Sequence, residues 1–311
     1  MRPARINVEV GSASFVLAVL LVAACHIIVP IIAAAAAAEA EGGRGSHEGR
    51  AARGMGRRAL IGGATWPSWM DITDPPQLRA RKLVAEMNTT EMIALFHGSC
   101  GGYTGNVCPN PRLNIPQLKM NDGPQGFRGA GSTSTAFPAG ITIAASWDAD
   151  VAHAFGSAMG DEFYRKGANV QLGPGLCLAR VPRNGRNFEY VSGEDPLIGR
   201  RLGAAVVTGI QSQGVVANAK HWVNNNQETD RHFISENVDE RTQFELYYPP
   251  FEGAIEAGLG SIMCSYNLIC VGCKSGQVGN WSCENHATLR VDLKERLNFS
   301  GWVRVRVKYR P

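Results

Sequence analysis

Asn218-Ala-Lys-His-Trp-Val-Asn-Asn-Asn-Gln-Glu-Thr-Asp230 follows directly on an apolar run, Val215-Val216-Ala217. The change of character is abrupt. A buried strand that ends in charged and amide side chains is how a parallel barrel presents a site at the carboxyl ends of its strands. Lys220 and His221 supply fixed donors, and the amides and carboxylates that follow can hold a polyhydroxylated ligand. Taken alone, the stretch reads equally well as a strand end running into a solvated polar loop.

The same pattern recurs along the chain. Leu118-Lys119-Met120 runs into Asn121-Asp122-Gly123-Pro124, Ala168–Leu172 into Gly173-Pro174-Gly175, and Ser261–Cys264 into Ser265-Tyr266-Asn267. Between these short runs lie segments with helical period. Val151, Ala154, Phe155, Ala158, Met159 and Phe163 mark one apolar stripe, closed by Arg165-Lys166-Gly167 as a basic last turn and a glycine stop. Ile198, Leu202, Ala205, Val206 and Ile210 mark a second, stopping near Gly214. Phe244, Tyr247, Tyr248, Phe251 and Ile255 suggest a third, broken or kinked at Pro249-Pro250, and Leu289, Leu293 and Leu297 a fourth. Strand, polar turn and helix in repetition predict an α/β fold with a parallel sheet. A (β/α)8 TIM barrel is favoured over an open doubly wound sheet. Polar groups end several different strands, and no Gly-x-Gly-x-x-Gly phosphate loop is present.

The ends differ from this body. Arg2 and Arg5 precede an apolar run from about Phe15 to Ala38, so residues 1–38 read as a signal peptide or, being long enough to span a bilayer, a signal anchor. Residues 39–64, rich in Gly, Ala and Arg, read as a disordered linker. Residues 65–303 read as the folded body and 304–311 as a basic tail. The formal net charge is +4, and the tail cations Arg304, Arg306, Lys308 and Arg310 alone match it. Leader and linker carry a further excess of arginine, so the body is net acidic and shows no electrostatic footprint for nucleic acid. Contact with a membrane is expected only if the leader stays uncleaved.

Of the eight cysteines, Cys25 lies in the leader, and the remaining odd number leaves at least one thiol without an internal partner. Cys270-Val-Gly-Cys273 has no second cysteine pair or spaced histidine pair beside it, so a loop disulfide is favoured over zinc. The sequons at Asn88, Asn280 and Asn298 agree with passage through a secretory route. No cofactor is expected.

The ordered motifs Met120-Asn-Asp-Gly-Pro-Gln-Gly126, Phe137-Pro-Ala139, Leu172-Gly-Pro-Gly175, Asn184-Gly-Arg-Asn-Phe-Glu189, Ala219-Lys-His-Trp-Val-Asn224 and Met263-Cys-Ser-Tyr-Asn267 resemble the N-terminal domain of glycoside hydrolase family 3, in its β-glucosidase branch. The resemblance covers about Pro67 to Val303. It implies that Asp122 accepts hydrogen bonds from sugar hydroxyls, that Arg186 and Lys220 are cationic sugar-binding residues with His221 beside them, and that Tyr266 lies against the nucleophile. The chemistry suits these roles: a carboxylate accepts from two adjacent hydroxyls, Arg offers a planar fork, Lys a compact charge and His a directional donor. The substrate implied is a β-linked glucoside or glucan oligosaccharide.

Retaining glycosidases set two carboxyl groups about 5 to 5.5 Å apart, one as nucleophile and one as acid/base. The resemblance implies an Asp nucleophile in a Ser/Thr-Asp-Trp context after a strand beginning Phe299-Ser-Gly-Trp-Val303. Arg306 stands at that position. The family's acid/base Glu belongs to a second α/β domain. No catalytic residue is therefore expected among these residues, and the chain reads as an inactive, truncated product of a β-glucosidase gene. A non-catalytic carbohydrate-binding relative is the alternative. A metal site built from His221, Glu228, Asp230 and His232 is the reading that sets the resemblance aside.

Overall fold

The structure is a computed structural model that describes residues 67–304, apart from 97, 99, 130–132 and 275. The leader, the linker, Arg306 and most of the tail lie outside the described residues. The chain divides into two compact units, one ending at Met92 and one beginning at Ile93.

In the first unit, helix α1 (Pro76–Glu86) starts with proline at its first position, where a missing N–H costs nothing. It buries Ala80, Leu83 and Val84, together with Arg79, whose Nε donates to the Trp69 carbonyl at 3.2 Å.

The second unit carries strands β1 (Gly105–Val107), β2 (Leu118–Asp122), β3 (Val170–Leu172), β4 (Val216–Trp222), β5 (Ser235–Val238), β6 (Ser261–Cys264), β7 (Leu268–Val271), β8 (Asn280–Trp281) and β9 (Trp302–Arg304). Its main helices are α2 (Ala149–Arg165), α3 (Pro196–Ser212), α4 (Pro249–Glu256) and α5 (Ala287–Arg296). The main sheet has the order β1-β2-β3-β4-β6-β9, and β5, β7 and β8 form a second, small sheet. From β2 onward every pairing in the main sheet is parallel, and β1 joins its edge antiparallel. Helices α2, α3, α4 and α5 each separate two of the parallel strands, so the repeating βα units expected from the sequence are present. The sheet is curled: the Arg304 guanidinium of β9 packs against Gly105 of β1, in the space a Cβ there would fill. The outermost strands are thereby brought within a side chain's reach. Among the described residues the curl remains an open sector rather than a closed barrel.

Helices α2 and α3 start on Asp148 and Asp195, whose carboxylates accept first-turn backbone N–H groups. They end before Gly167 and Gly214, both with positive φ. The buried face of α2 differs from the expected stripe. Val151, Ala154 and Ala158 are exposed, and Ala152, Phe155, Gly156, Met159, Gly160 and Phe163 are buried. The cause is a close helix crossing. A Cβ on Gly156 would strike the Val206 backbone of α3, and one on Gly209 of α3 would strike His153. An apolar-period count passes over glycine and so rotates the face.

Two further elements differ from expectation. Strand β4 continues through Trp222 instead of ending before Asn218, because its polar side chains find buried partners. Asn218 Nδ2 donates to Ser261 Oγ, and Lys220 pairs with Asp122. The fourth stripe forms a helix wound wider than α, with Leu297 N–H donating to the Asp292 carbonyl at 2.8 Å. Before the Pro249-Pro250 pair, Tyr248 N–H likewise reaches back to the Gln243 carbonyl, at 2.9 Å. The wide turn takes up the kink that the prolines impose.

Candidate functional site

The site begins with the end of β4. Its register against β6 shifts between Lys220 and Trp222. Trp222 thereby joins Ala217 and Ala219 in the apolar core, whereas Asn218 and Lys220 meet polar groups. Trp222 is fully buried, stacked on Tyr248 at 4.5 Å and edge-on to Phe251, with Nε1 donating to the Thr288 carbonyl. Tyr248 is held in turn by Asp292 at 2.7 Å. The strand end is therefore anchored from the helical side, which fixes where the neighbouring Lys220 and His221 can lie.

Lys220 Nζ lies 3.3 Å from Asp122 Oδ1 at the end of β2, and both side chains are nearly buried. Arg128 approaches the other carboxylate oxygen at 3.4 Å. The pair spans 98 residues of sequence and comes from parallel strands, so both groups stand at the same, carboxyl end of the sheet.

His221 is oriented by a short chain of hydrogen bonds. Asn225 Nδ2 donates to the Tyr190 hydroxyl at 3.0 Å, and that oxygen lies 3.3 Å from His221 Nδ1. With Asn225 donating, the Tyr190 proton points at Nδ1, which places the imidazole proton on Nε2 as a directional donor. Burial raises the Tyr190 pKa well above its ordinary value and keeps the phenol protonated. Behind the ring, the His221 backbone N–H meets the Cys177 sulfur at 3.5 Å. Burial also pushes that thiol's pKa up, so it is an inert packing group.

Arg186 lies between β3 and α3 and is mostly buried, with carboxylates on two sides. Glu189 pairs with it through Nε at 2.6 Å, and Glu228 through Nη1 at 3.4 Å. Burial disfavours its charge, but the oxygens of Tyr190, Glu189, Tyr266 and Glu228 outweigh burial and raise its pKa. It stays a guanidinium. Tyr266, two residues past β6, lies 5.2 Å from the His221 ring, and Arg186 sits 6.0 Å over its face.

Asp122, Arg186, Lys220, His221 and Tyr266 thus gather at one end of one sheet, from four different segments. Sequence reading missed the groups that hold them. Glu228, weighed only as a metal ligand, ties Arg186 to Arg231 and to Asn225 Nδ2. Arg231 in turn covers Tyr266 with its guanidinium 3.9 Å from the ring centroid. The amide-rich stretch was the available signal for Asn225, whereas nothing local marks Tyr190. Among the described residues, no group of three or more His, Cys, Asp or Glu is placed to hold a metal. The cysteines pair as Cys100–Cys108, Cys264–Cys283 and Cys270–Cys273, which leaves Cys177 as the free thiol among the described residues.

This is a parallel α/β protein with a charge-paired, aromatic-flanked polar site at the carboxyl ends of its strands. The family model described as "Glycosyl hydrolase family 3 N terminal domain" matches residues 103–305, and the chain belongs to that family. Among curated relatives, probable beta-glucosidase A of Aspergillus terreus is 42% identical over 246 residues, covering 72% of this chain and 27% of that protein. Beta-glucosidase 1 of Aspergillus aculeatus matches at the same identity and the same coverage. The chain thus spans about a quarter of the length of these relatives. Among solved structures, DesR, a beta-glucosidase from Streptomyces venezuelae in complex with D-glucose, aligns with a TM-score of 0.68 and 37% identity, covering 75% of this chain and 29% of that one. The beta-D-glucoside glucohydrolase of Trichoderma reesei aligns with a TM-score of 0.68 and 35% identity, covering 74% and 32%.

Proposed function

We propose that this chain binds the terminal glucosyl residue of a β-linked glucoside or glucan oligosaccharide, as the sugar-holding part of a retaining β-glucosidase-type site. The juxtaposition of Asp122 and Lys220 carries the reading. A buried carboxylate 3.3 Å from a buried ammonium offers a fixed acceptor beside a fixed donor, which suits neighbouring hydroxyls of a pyranose. His221 Nε2 and Arg186 add donors on the adjoining side, and Tyr266 gives the site an aromatic wall. The parallel βα units fit a sector of a (β/α)8 barrel with residues 65–303 as its body, a leader over 1–38, a linker over 39–64 and a basic tail from 304. A secretory route for the chain agrees with its disulfides.

Hydrolysis needs a nucleophilic carboxylate beneath the anomeric carbon, and Arg306 stands where the family resemblance expects that Asp. The residues described bind and orient without supplying that group, so the chain is inactive as a hydrolase by itself. Two assays on the purified 311-residue chain test this. Calorimetry is expected to show glucose or gluconolactone binding that Asp122→Ala abolishes or weakens, and a chromogenic β-glucoside is expected to remain uncleaved. Steady turnover of that substrate would overturn the inactive reading, and equal heats for wild type and Asp122→Ala would overturn the site.

A further inference from the structure

The site does not end at Tyr266. The His232 ring meets the edge of Tyr266 at 5.4 Å, on the side away from Lys220's strand, and the His232 carbonyl accepts the Trp281 indole N–H at 3.1 Å. In the small sheet Trp281 is directly opposite Leu268, two residues after Tyr266, so the backbone register carries the indole toward the same region. Trp281 is 36% exposed and Phe233, next to His232, is 76% exposed. The polar edge of the indole is thus committed inward while part of its apolar ring meets solvent. No carboxylate takes part in these ring contacts, and Arg231, the nearest cation, is engaged by Glu228 and the Tyr266 face.

Flat apolar rings at the rim of a site built for hydroxyls suit the C–H face of a pyranose, which loses water on contact and needs no hydrogen bond from the ring. We propose that Trp281, flanked by His232 and Phe233, is a shelf for the second sugar ring of a β-linked disaccharide whose terminal glucosyl ring is held at Asp122 and Lys220. The proposal rests on the glucosyl-binding reading above and extends it outward from Tyr266. It makes Trp281 a specificity-determining residue: the monosaccharide cannot reach it, and the disaccharide can.

The test is calorimetric titration of glucose and of cellobiose into the full chain, for wild type, Trp281→Ala, Trp281→Phe and Asp122→Ala. Neither Trp281 change touches Asn280 or Ser282, so the sequon there is kept. Trp281→Ala is expected to weaken cellobiose binding about five- to tenfold and leave glucose within about twofold, with Trp281→Phe recovering most of the loss. Asp122→Ala is expected to weaken both sugars together. Cellobiose binding that is unchanged in Trp281→Ala, or lost in step with glucose, overturns the shelf and leaves the glucosyl site standing. Wild-type protein that binds neither sugar overturns the glucosyl site, and the shelf with it.

Discussion

At the scale of single residues, the account turns on charges that are buried in pairs. Lys220 and Asp122 satisfy one another across two strands, and removing either leaves the other poorly solvated. Lys220→Met, which keeps the apolar stem, is expected to weaken glucose binding by about 1–3 kcal/mol, the usual cost of losing a charge-assisted partner. Calorimetry on the variant checks this, and circular dichroism confirms that the fold survives. A second residue gives a pH signature. Burial lifts the Glu236 pKa to about 7, against the pull of the Asn226 N–H toward the charged form. The folded chain therefore holds a proton on Glu236 that the unfolded chain releases near the ordinary carboxylate pKa, about 4.3. Stability from this group is fully present below that value and is lost as pH rises to about 7, with no further loss above it. Glu236→Gln removes the dependence. Denaturant melts are expected to show the variant more stable than wild type at pH 8 by about 1 kcal/mol, after allowance for solvent screening, with the gap closing near pH 4.5. A constant gap across that range would assign the effect to packing instead.

At the scale of elements, strand ends and glycines decide the architecture. The α2–α3 crossing depends on Gly156 and Gly209 lying flat against the facing helix. In an isolated helix Gly→Ala stabilises by roughly 0.8–1 kcal/mol. Gly156→Ala is expected to do the reverse here and cost about 1–3 kcal/mol, because the methyl group meets the Val206 backbone. Thermal denaturation separates the two signs. The Cys264–Cys283 bridge ties the end of β6, just before Tyr266, to the loop after β8. Converting both cysteines to serine opens a closure of 19 residues, for which chain entropy predicts a loss of about 3 kcal/mol. Unfolding by urea checks that figure.

These elements also show what the sequence could and could not convey. The runs at 118–122, 170–172 and 261–264 were legible because short apolar stretches end in Asp, Gly-Pro or Ser-Tyr-Asn turns. The caps at Asp148 and Asp195 obey local rules and could be read in the same way. The extent of β4 could not, because it rests on Asn218 and Lys220 finding partners 43 and 98 residues away. The wide winding of α5 was equally hidden, since its leucines at every fourth position describe an ordinary α-helix. Of the site, Asp122, Arg186, Lys220, His221 and Tyr266 were found through their motifs. Tyr190, Asn225, Glu228 and Arg231 act through contacts that no local pattern encodes.

At the scale of the whole molecule, a curled parallel sheet sets the carboxyl ends of β2, β4 and β6 around one region, and the loops that follow deliver charge and aromatic surface to it. The family shares this chain's sugar-facing motifs, and the Trp222 anchor explains how the motif around Lys220 and His221 keeps its geometry. The central claim is that residues from separate strands form a single glucosyl-binding site. A crystal structure of the chain grown with saturating glucose tests it most directly. The account predicts one glucose with hydroxyls within hydrogen-bond distance of both Asp122 and Lys220, and with Tyr266 beside the ring. Glucose bound elsewhere on the surface, with Asp122 and Lys220 still closed on one another, would contradict it.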